Sequence, residues 1–236
     1  MIKFFRNIRK ALLAENKFTK YLMYAIGEIV LVVIGILIAL SINNWNEDKQ
    51  LLKLEREYLE GILDDLHTDI SNINEVVIPN FRNNHRPGHM YIDSLDRNGL
   101  SDNAELVEAI NPYGLSNSGL SFHPTVGTYN AIIAQGRSSL LGNKDLFSDI
   151  QRLYEVWYKR NNEYSLRRDN LQDRIKMQYA YDLRYSSKLE IMQNKELLAD
   201  LYLMMTFKIS YIGLLRDIIE EIELVMSKIE QQLESS

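Results

Sequence analysis

The sequence predicts an all-α protein: a single N-terminal transmembrane helix followed by an extracytoplasmic helical bundle with long amphipathic helices. Three observations predict it. Leu22–Ile42 is an unbroken apolar run, two later segments place apolar residues at alternating spacings of four and three, and no stretch shows the two-residue alternation of a strand. The chain divides accordingly into residues 1–20, a basic segment; 21–42, the span; and 43–236, the helical domain.

Residues 1–20 carry Lys3, Arg6, Arg9, Lys10, Lys17 and Lys20, while Ile2, Phe5, Ile8 and Leu12 share one helical face. That pattern suits a short amphipathic helix lying on an anionic inner leaflet. The 21 residues that follow, Leu22–Ile42, reach about 31 Å as a helix, close to the ~30 Å hydrocarbon thickness. Only Lys49, Lys53 and Arg56 appear in residues 43–60, so the excess of positive charge places the N-terminus in the cytoplasm and everything beyond Ile42 outside it. Tyr21 and Trp45 fall at the two interfaces. A cleaved signal sequence ending near Ala39-Leu40-Ser41 is the competing reading; both the apolar run and the basic segment before it are longer than such signals carry.

Glu28 interrupts the span. A carboxylate there costs on the order of 2.5–3.5 kcal/mol at the bilayer centre and less near the headgroups. On a helical wheel it shares a stripe with Val32, Gly35, Ala39 and Ile42, and Gly35/Ala39 is a small-xxx-small pair. Glu28, Gly35 and Ala39 are therefore the candidate transmembrane contact. The alternatives are a carboxylate reaching for the headgroups, or one that couples a proton or ion.

Residues 43–236 hold 21 Lys and Arg against 30 Asp and Glu, a net charge near −9, which argues against nucleic acid or an anionic membrane as the partner. There is no cysteine, so this domain is stabilised without disulfides. Leu59, Leu63, Leu66, Ile70, Ile73 and Val77 form the first seam, on a helix that Pro79 is expected to end. All four prolines and seven of the eleven glycines lie between 79 and 142, where short helices are expected from Pro87 to Asp96, after Asp102 as far as Pro112, and from Pro124 to Gln135 with Gly136 as its cap. Residues 112–123 read as loop. Asn143 caps a long helix reaching about Ser186, with Ile150, Leu153, Trp157, Tyr164, Leu171 and Ile175 on one side and Arg160, Arg167 and Arg174 interrupting it. Asn194 caps a last helix to about Glu234, whose seam is Ile212, Leu215, Ile219, Ile222, Met226, Ile229 and Leu233. Lys208, Arg216 and Asp217 exclude it as a second span. Three long amphipathic helices make a bundle, coiled-coil-like in its seams.

Signals of chemistry are weak. His85 and His89 have the spacing of a helical metal pair, but Pro87 and Gly88 spoil the helix between them; His67 and His123 stand apart. Gly114–Ser118 misses the nucleophile-elbow pattern by one residue and follows no strand. No catalytic residue, metal site, cofactor or small-molecule ligand is identifiable. Tyr154, Tyr158, Arg168, Tyr179, Tyr181 and Tyr185 form a Tyr/Arg-rich face, readable as core, as a solvated face, or as a protein-binding surface. Asp217, Glu220, Glu221 and Glu223 read as a solvated face paired with arginines of the preceding helix.

Two runs, YAIGEIVLVVIGILIALSINNWNE and SFHPTVGTYNAIIAQGRSSLLGNKDLFSDIQRLYEVW, resemble an uncharacterised bacterial family of single-pass membrane proteins carrying a domain of unknown function. The resemblance covers essentially the whole chain and implies a Gram-negative inner-membrane anchor with a periplasmic domain. It departs at Ser138, where the family pattern has an apolar residue. No activity comes with it. The expectation is a non-enzymatic scaffold or interaction subunit that binds another protein or its own copies; the alternative is a sensory or energy-coupling subunit acting through Glu28.

Overall fold

The computed structural model describes residues 18–81, 111–117, 119–137, 141 and 143–235. These residues form helices and their connections, with no strand among them. The basic segment up to residue 17, the helices expected from Pro87 and after Asp102, His85, His89 and Ser138 lie outside the described residues. The chain forms two compact units, Met1–Leu54 and Glu55–Ser236.

Helix α1 is Phe18–Ser71. In the first unit every described Leu, Ile, Val and Met side chain from Leu22 to Ile42 is exposed. The most apolar 18-residue window there has a mean hydropathy of 2.8 and none of it is buried, so this helix is long and apolar enough to cross a membrane. At its end Lys49 lies 4.4 Å from the Trp45 ring.

The second unit begins with the last part of α1, widened by a π-helical segment, Asn72–Val77, and helical again to Phe81. There follow α2 (Pro112–Ser116), α3 (Gly127–Ala134), α4 (Lys144–Arg152), a second π-helical segment (Leu153–Trp157), α5 (Tyr158–Gln178), α6 (Ala180–Tyr185), α7 (Lys188–Gln193) and α8 (Lys195–Ser235). The larger apolar cluster joins the end of α1, α3, α4 and the C-terminal half of α8; the smaller joins α2, the end of α5, α7 and the first half of α8. Helix α8 also contains a window apolar enough for a span, with mean hydropathy 1.4, but its apolar stripe lies in these two clusters. It is the core helix of the bundle.

Most of each expected seam is buried, Leu59, Leu66, Ile73 and Val77 on α1 and Leu215, Ile222, Met226 and Ile229 on α8, while at the alternate positions the buried residue is the one before that expected. On α1 the inward set is Leu59, Ile62, Leu66, Asp69, Ile73 and Val77, with Leu63 and Ile70 at its edge; on α8 it includes Tyr211, Leu215, Ile218, Ile222, Val225 and Ile229, with Ile212, Ile219 and Leu233 at the edge. Each fully buried Leu or Ile contributes ~1.5–3 kcal/mol. Caps fall where the sequence places them. The Asn143 and Asn194 side chains accept from Leu146 N and Leu197 N at 3.1 Å each. Gly136, at φ +62, closes α3: Gly136 N–H donates to Ile133 O and Arg137 N–H to Ile132 O, a Schellman pair.

Four boundaries differ. Pro79 does not end its helix, because the bond from Ile78 N–H to Ile73 O widens the turn before it and relieves the ring's clash with the backbone behind. Residues 112–123 are not all loop: Pro112 starts α2, whose Gly114 N–H is capped by Asn111 at 3.1 Å. Pro124 does not start α3, which begins at Gly127, because Thr125 is engaged elsewhere. The single helix expected from Lys144 to Ser186 is broken at Tyr179, and a capping box, Ser187 with Glu190, starts α7.

Candidate functional site: a polar layer beneath the strap 119–126

Residues 119–126 form a non-helical strap that is held almost group by group by inward-facing polar side chains of the bundle. Such a segment needs partners, since a buried backbone group left unpaired costs as much as a lost hydrogen bond. Asn80 Oδ1 accepts from Leu120 N–H at 3.3 Å, and Arg168 Nη2 donates to Ser121 Oγ at 2.6 Å. Phe122, fully buried, donates its N–H to Tyr211 Oη at 2.9 Å and accepts on its carbonyl from Asn161 Nδ2 at 3.0 Å. Thr125 donates both its N–H and its hydroxyl to Asp69 Oδ1 at 2.8 Å. At the start of α3, Thr128 N–H donates to Asp65 Oδ2 at 3.1 Å.

The holding side chains also bind one another. Tyr211 Oη donates to Asn161 Oδ1 at 2.8 Å and accepts from Ser165 Oγ at 3.2 Å, and Tyr158 Oη donates to Asp69 Oδ2 at 2.6 Å. Tyr158, Asn161, Ser165 and Arg168 are the inward face of α5, at helical spacing, and all are buried. Asp69 and Lys208 occupy positions in phase with the apolar stripes of α1 and α8, each 1% exposed. Lys208 Nζ donates to Leu115 O at 2.9 Å.

Charge is distributed unevenly along this layer. Near Tyr158 stands the Asp69 carboxylate, saturated by three donors; burial raises its pKa, against the lowering effect of the bonds from Tyr158 and Thr125. Ten residues along α5, about 15 Å by helical rise, stands Arg168, 0% exposed, with its guanidinium 4.5 Å from the Tyr211 ring and 5.2 Å from that of Phe81. Among the described residues it pairs with one carboxylate, Asp169, at 3.5 Å and itself 45% exposed. Burial, and then the charge of Arg168, push the Lys208 ammonium down to about 7. The arrangement positions a strap and holds cationic charge in the interior.

The expected Tyr/Arg surface is not one surface. Tyr154, Tyr158, Arg168 and Tyr179 are buried, and only Tyr181 and Tyr185 are exposed, at 73% and 66%. Helix α5 ends before Tyr179, which leaves the helical conformation at φ −115 and ψ 26, and the two exposed rings belong to the short α6 that follows. They lie 5.1 Å apart, with Arg184 5.6 Å from the Tyr185 ring, and a groove of about 500 Å³ lined by Lys176, Ala180, Leu183 and Arg184 is close in sequence. Of the acidic residues on α8, Glu221 pairs with Arg152. Arg174 pairs with Asp200, and Lys228 with Asp149. In the apolar stretch Glu28 is half-buried, Ala39 is exposed, and a Cβ placed on Gly35 meets nothing within 4 Å. His67 and His123 are exposed, and among the described residues no three metal-ligating side chains converge.

Sequence reading missed the polar layer because it sought apolar seams, and the inward face of α5 is polar over four successive contacts. The available signal was phase. Asp69 follows Ile62 and Leu66, and precedes Ile73, at spacings of three and four, as Lys208 does between Met204 and Tyr211.

No curated protein and no solved structure matches this chain. The profile of a family of unknown function matches residues 28–189, from the first third of the apolar stretch to the start of α7, and so includes the strap, Asp69 and Arg168. That match covers more than half of the sequence, and the chain belongs to the family of unknown function DUF6090.

Proposed function

We propose that this protein is a single-pass bacterial inner-membrane subunit, its N-terminus in the cytoplasm and its helical domain in the periplasm, which works by binding another protein or its own copies rather than by catalysis. The observation that carries the anchor is the apolar stretch of α1, whose described Leu, Ile, Val and Met side chains from Leu22 to Ile42 are all exposed. Orientation follows from the Lys and Arg excess before it. The interaction role rests on the stripe of Glu28, Gly35 and Ala39, where the open space at Gly35 admits a second helix closely. The coupling alternative draws on one helix, Phe18–Ser71, carrying both Glu28 and the strap-holding Asp69.

A reporter fused after Ser236 is expected to be active only outside the cytoplasm, with Met1 retained in the mature protein; cytoplasmic activity, or a mature N-terminus near Ser41, overturns the topology. In-membrane association of the span separates the two roles. For a contact residue, Glu28→Gln keeps association and growth while Gly35→Leu abolishes association. For a coupling residue, Glu28→Gln abolishes function with assembly intact. Normal association of both variants removes the stripe as an interface.

A further inference from the structure

Arg168 is the one cation of the polar layer that no change of protonation can relieve. A guanidinium stays charged at any pH a protein survives, whereas Lys208 can shed its proton. Taking such a charge out of water costs several kcal/mol unless acceptors replace the lost hydration. Here one nitrogen, Nη2, meets Ser121 Oγ and, at 3.5 Å, the half-exposed Asp169; Nε and Nη1, both fully buried, find no acceptor among the described residues. The two aromatic rings against the guanidinium contribute only ~0.5–2 kcal/mol between cation and π-face. Lys208, within electrostatic range, adds a second cationic group to the same part of the interior.

We propose that Arg168 is the centre of a binding site for a small oxyanion, a phosphate, sulfate or carboxylate group, closed over by the strap through Ser121. The anion's oxygens take the Nε and Nη1 hydrogens, and Ser121, already bonded to Nη2, places the strap on the same guanidinium. Arginine suits this class of ligand because its planar, delocalised charge directs several N–H donors toward one multi-oxygen acceptor. Binding and strap order are therefore linked: an occupied site holds Ser121 and, through Phe122 and Tyr211, the layer beneath it. This site is independent of whether the span acts as anchor or as coupling element.

The test uses the full chain in detergent micelles. Equilibrium dialysis against radiolabelled inorganic phosphate, with sulfate, acetate and succinate as competitors, identifies the acceptor group; about one ion bound per chain is expected for at least one of them. At constant ionic strength, replacing chloride by that oxyanion at a hundred times its dissociation constant stabilises the folded state about 100-fold, read as a rise in melting temperature. Arg168→Met abolishes binding and shift, while Arg152→Met, at an exposed cation, keeps both. In oxyanion-free buffer Arg168→Met melts no lower than the parent, since an apolar side chain of similar length relieves an uncompensated charge. Failure of the parent protein to bind any of the four probes, or an undiminished shift in Arg168→Met, overturns the site. Should Arg168→Met not fold, Arg168→Lys, which keeps the charge but not the planar donors, is expected to weaken binding at least tenfold, and unchanged binding overturns the proposal.

Discussion

Replacing Tyr211 by Phe removes one oxygen atom that serves three partners. The ring and its packing remain, with Phe81 at 5.6 Å and Tyr164 at 5.9 Å between centroids. What is lost is the donor to Asn161 Oδ1 and the acceptor for Phe122 N–H and Ser165 Oγ. Ser165 can rotate its hydroxyl; Phe122 N–H and Asn161 Oδ1 are fixed in the interior by the strap and cannot reach water. At ~1–3 kcal/mol for each buried group left unsatisfied, two such groups give a loss of about 2–6 kcal/mol, a large share of a total stability of ~5–15 kcal/mol. The assay is urea unfolding of the full chain in micelles, followed by fluorescence in a Trp45→Phe background. Trp157, packed against the larger core cluster, then reports alone. Tyr164→Phe, which takes a hydroxyl from a half-buried ring with no hydrogen bond described for it, is the control and should cost under ~0.5 kcal/mol. A loss below about 1 kcal/mol for Tyr211→Phe, with the urea slope unchanged, would refute the view that this hydroxyl holds the strap.

Leu66→Asp and Ile222→Asp, both at fully buried positions, should unfold the domain by circular dichroism, while Leu63→Asp, at the edge of the seam, should leave it folded but weakened. The pKa of Lys208 is lowered on folding from its ordinary 10.5 to about 7, so between those values the unfolded chain holds a proton that the folded chain does not, and stability rises with pH. The gain is at most roughly 1.4 kcal/mol per pH unit and is best read between pH 7 and 9.5 by urea midpoints, because burial raises the pKa values of Tyr129, Tyr154 and Tyr158 and their ionisation in the unfolded chain reverses the trend above about 10. Lys208→Met should flatten the profile; an unchanged slope would mean that Lys208 is not its source. Gly136→Ala costs only the left-handed backbone, about 1–2 kcal/mol, since its Cβ meets open space, whereas Gly119→Ala, at φ +82, also drives a Cβ to 2.9 Å from the buried Phe81 ring. The second variant should be the less stable by roughly 1–3 kcal/mol, and equal midpoints would contradict the close approach of the strap to Phe81.

The apolar stretch, the caps at Asn143 and Asn194, the glycine closing α3 and the long amphipathic helices are all determined locally, by residues within one or two turns of each other. They could be read from the sequence for that reason. Seam phase is less local: at alternate positions on α1 and α8 the inward residue is the one before that expected, because their partners, the strap and α5, bring polar groups that bind Asp69 and Tyr211 in the interior. Periodicity cannot foresee that an arginine on a polar helix face will be wholly buried, since its neighbours Phe81, Ser121 and Tyr211 come from three other segments of the chain. The same holds for the Tyr/Arg face, which a break at Tyr179 divides into core and surface. Local propensity and amphipathicity thus determined the helices and the apolar stretch. Only the tertiary structure decided which polar side chains the strap would cover, because the strap groups that bind them lie 39 to 89 residues away in the chain, and a buried polar group gains its place only from such partners.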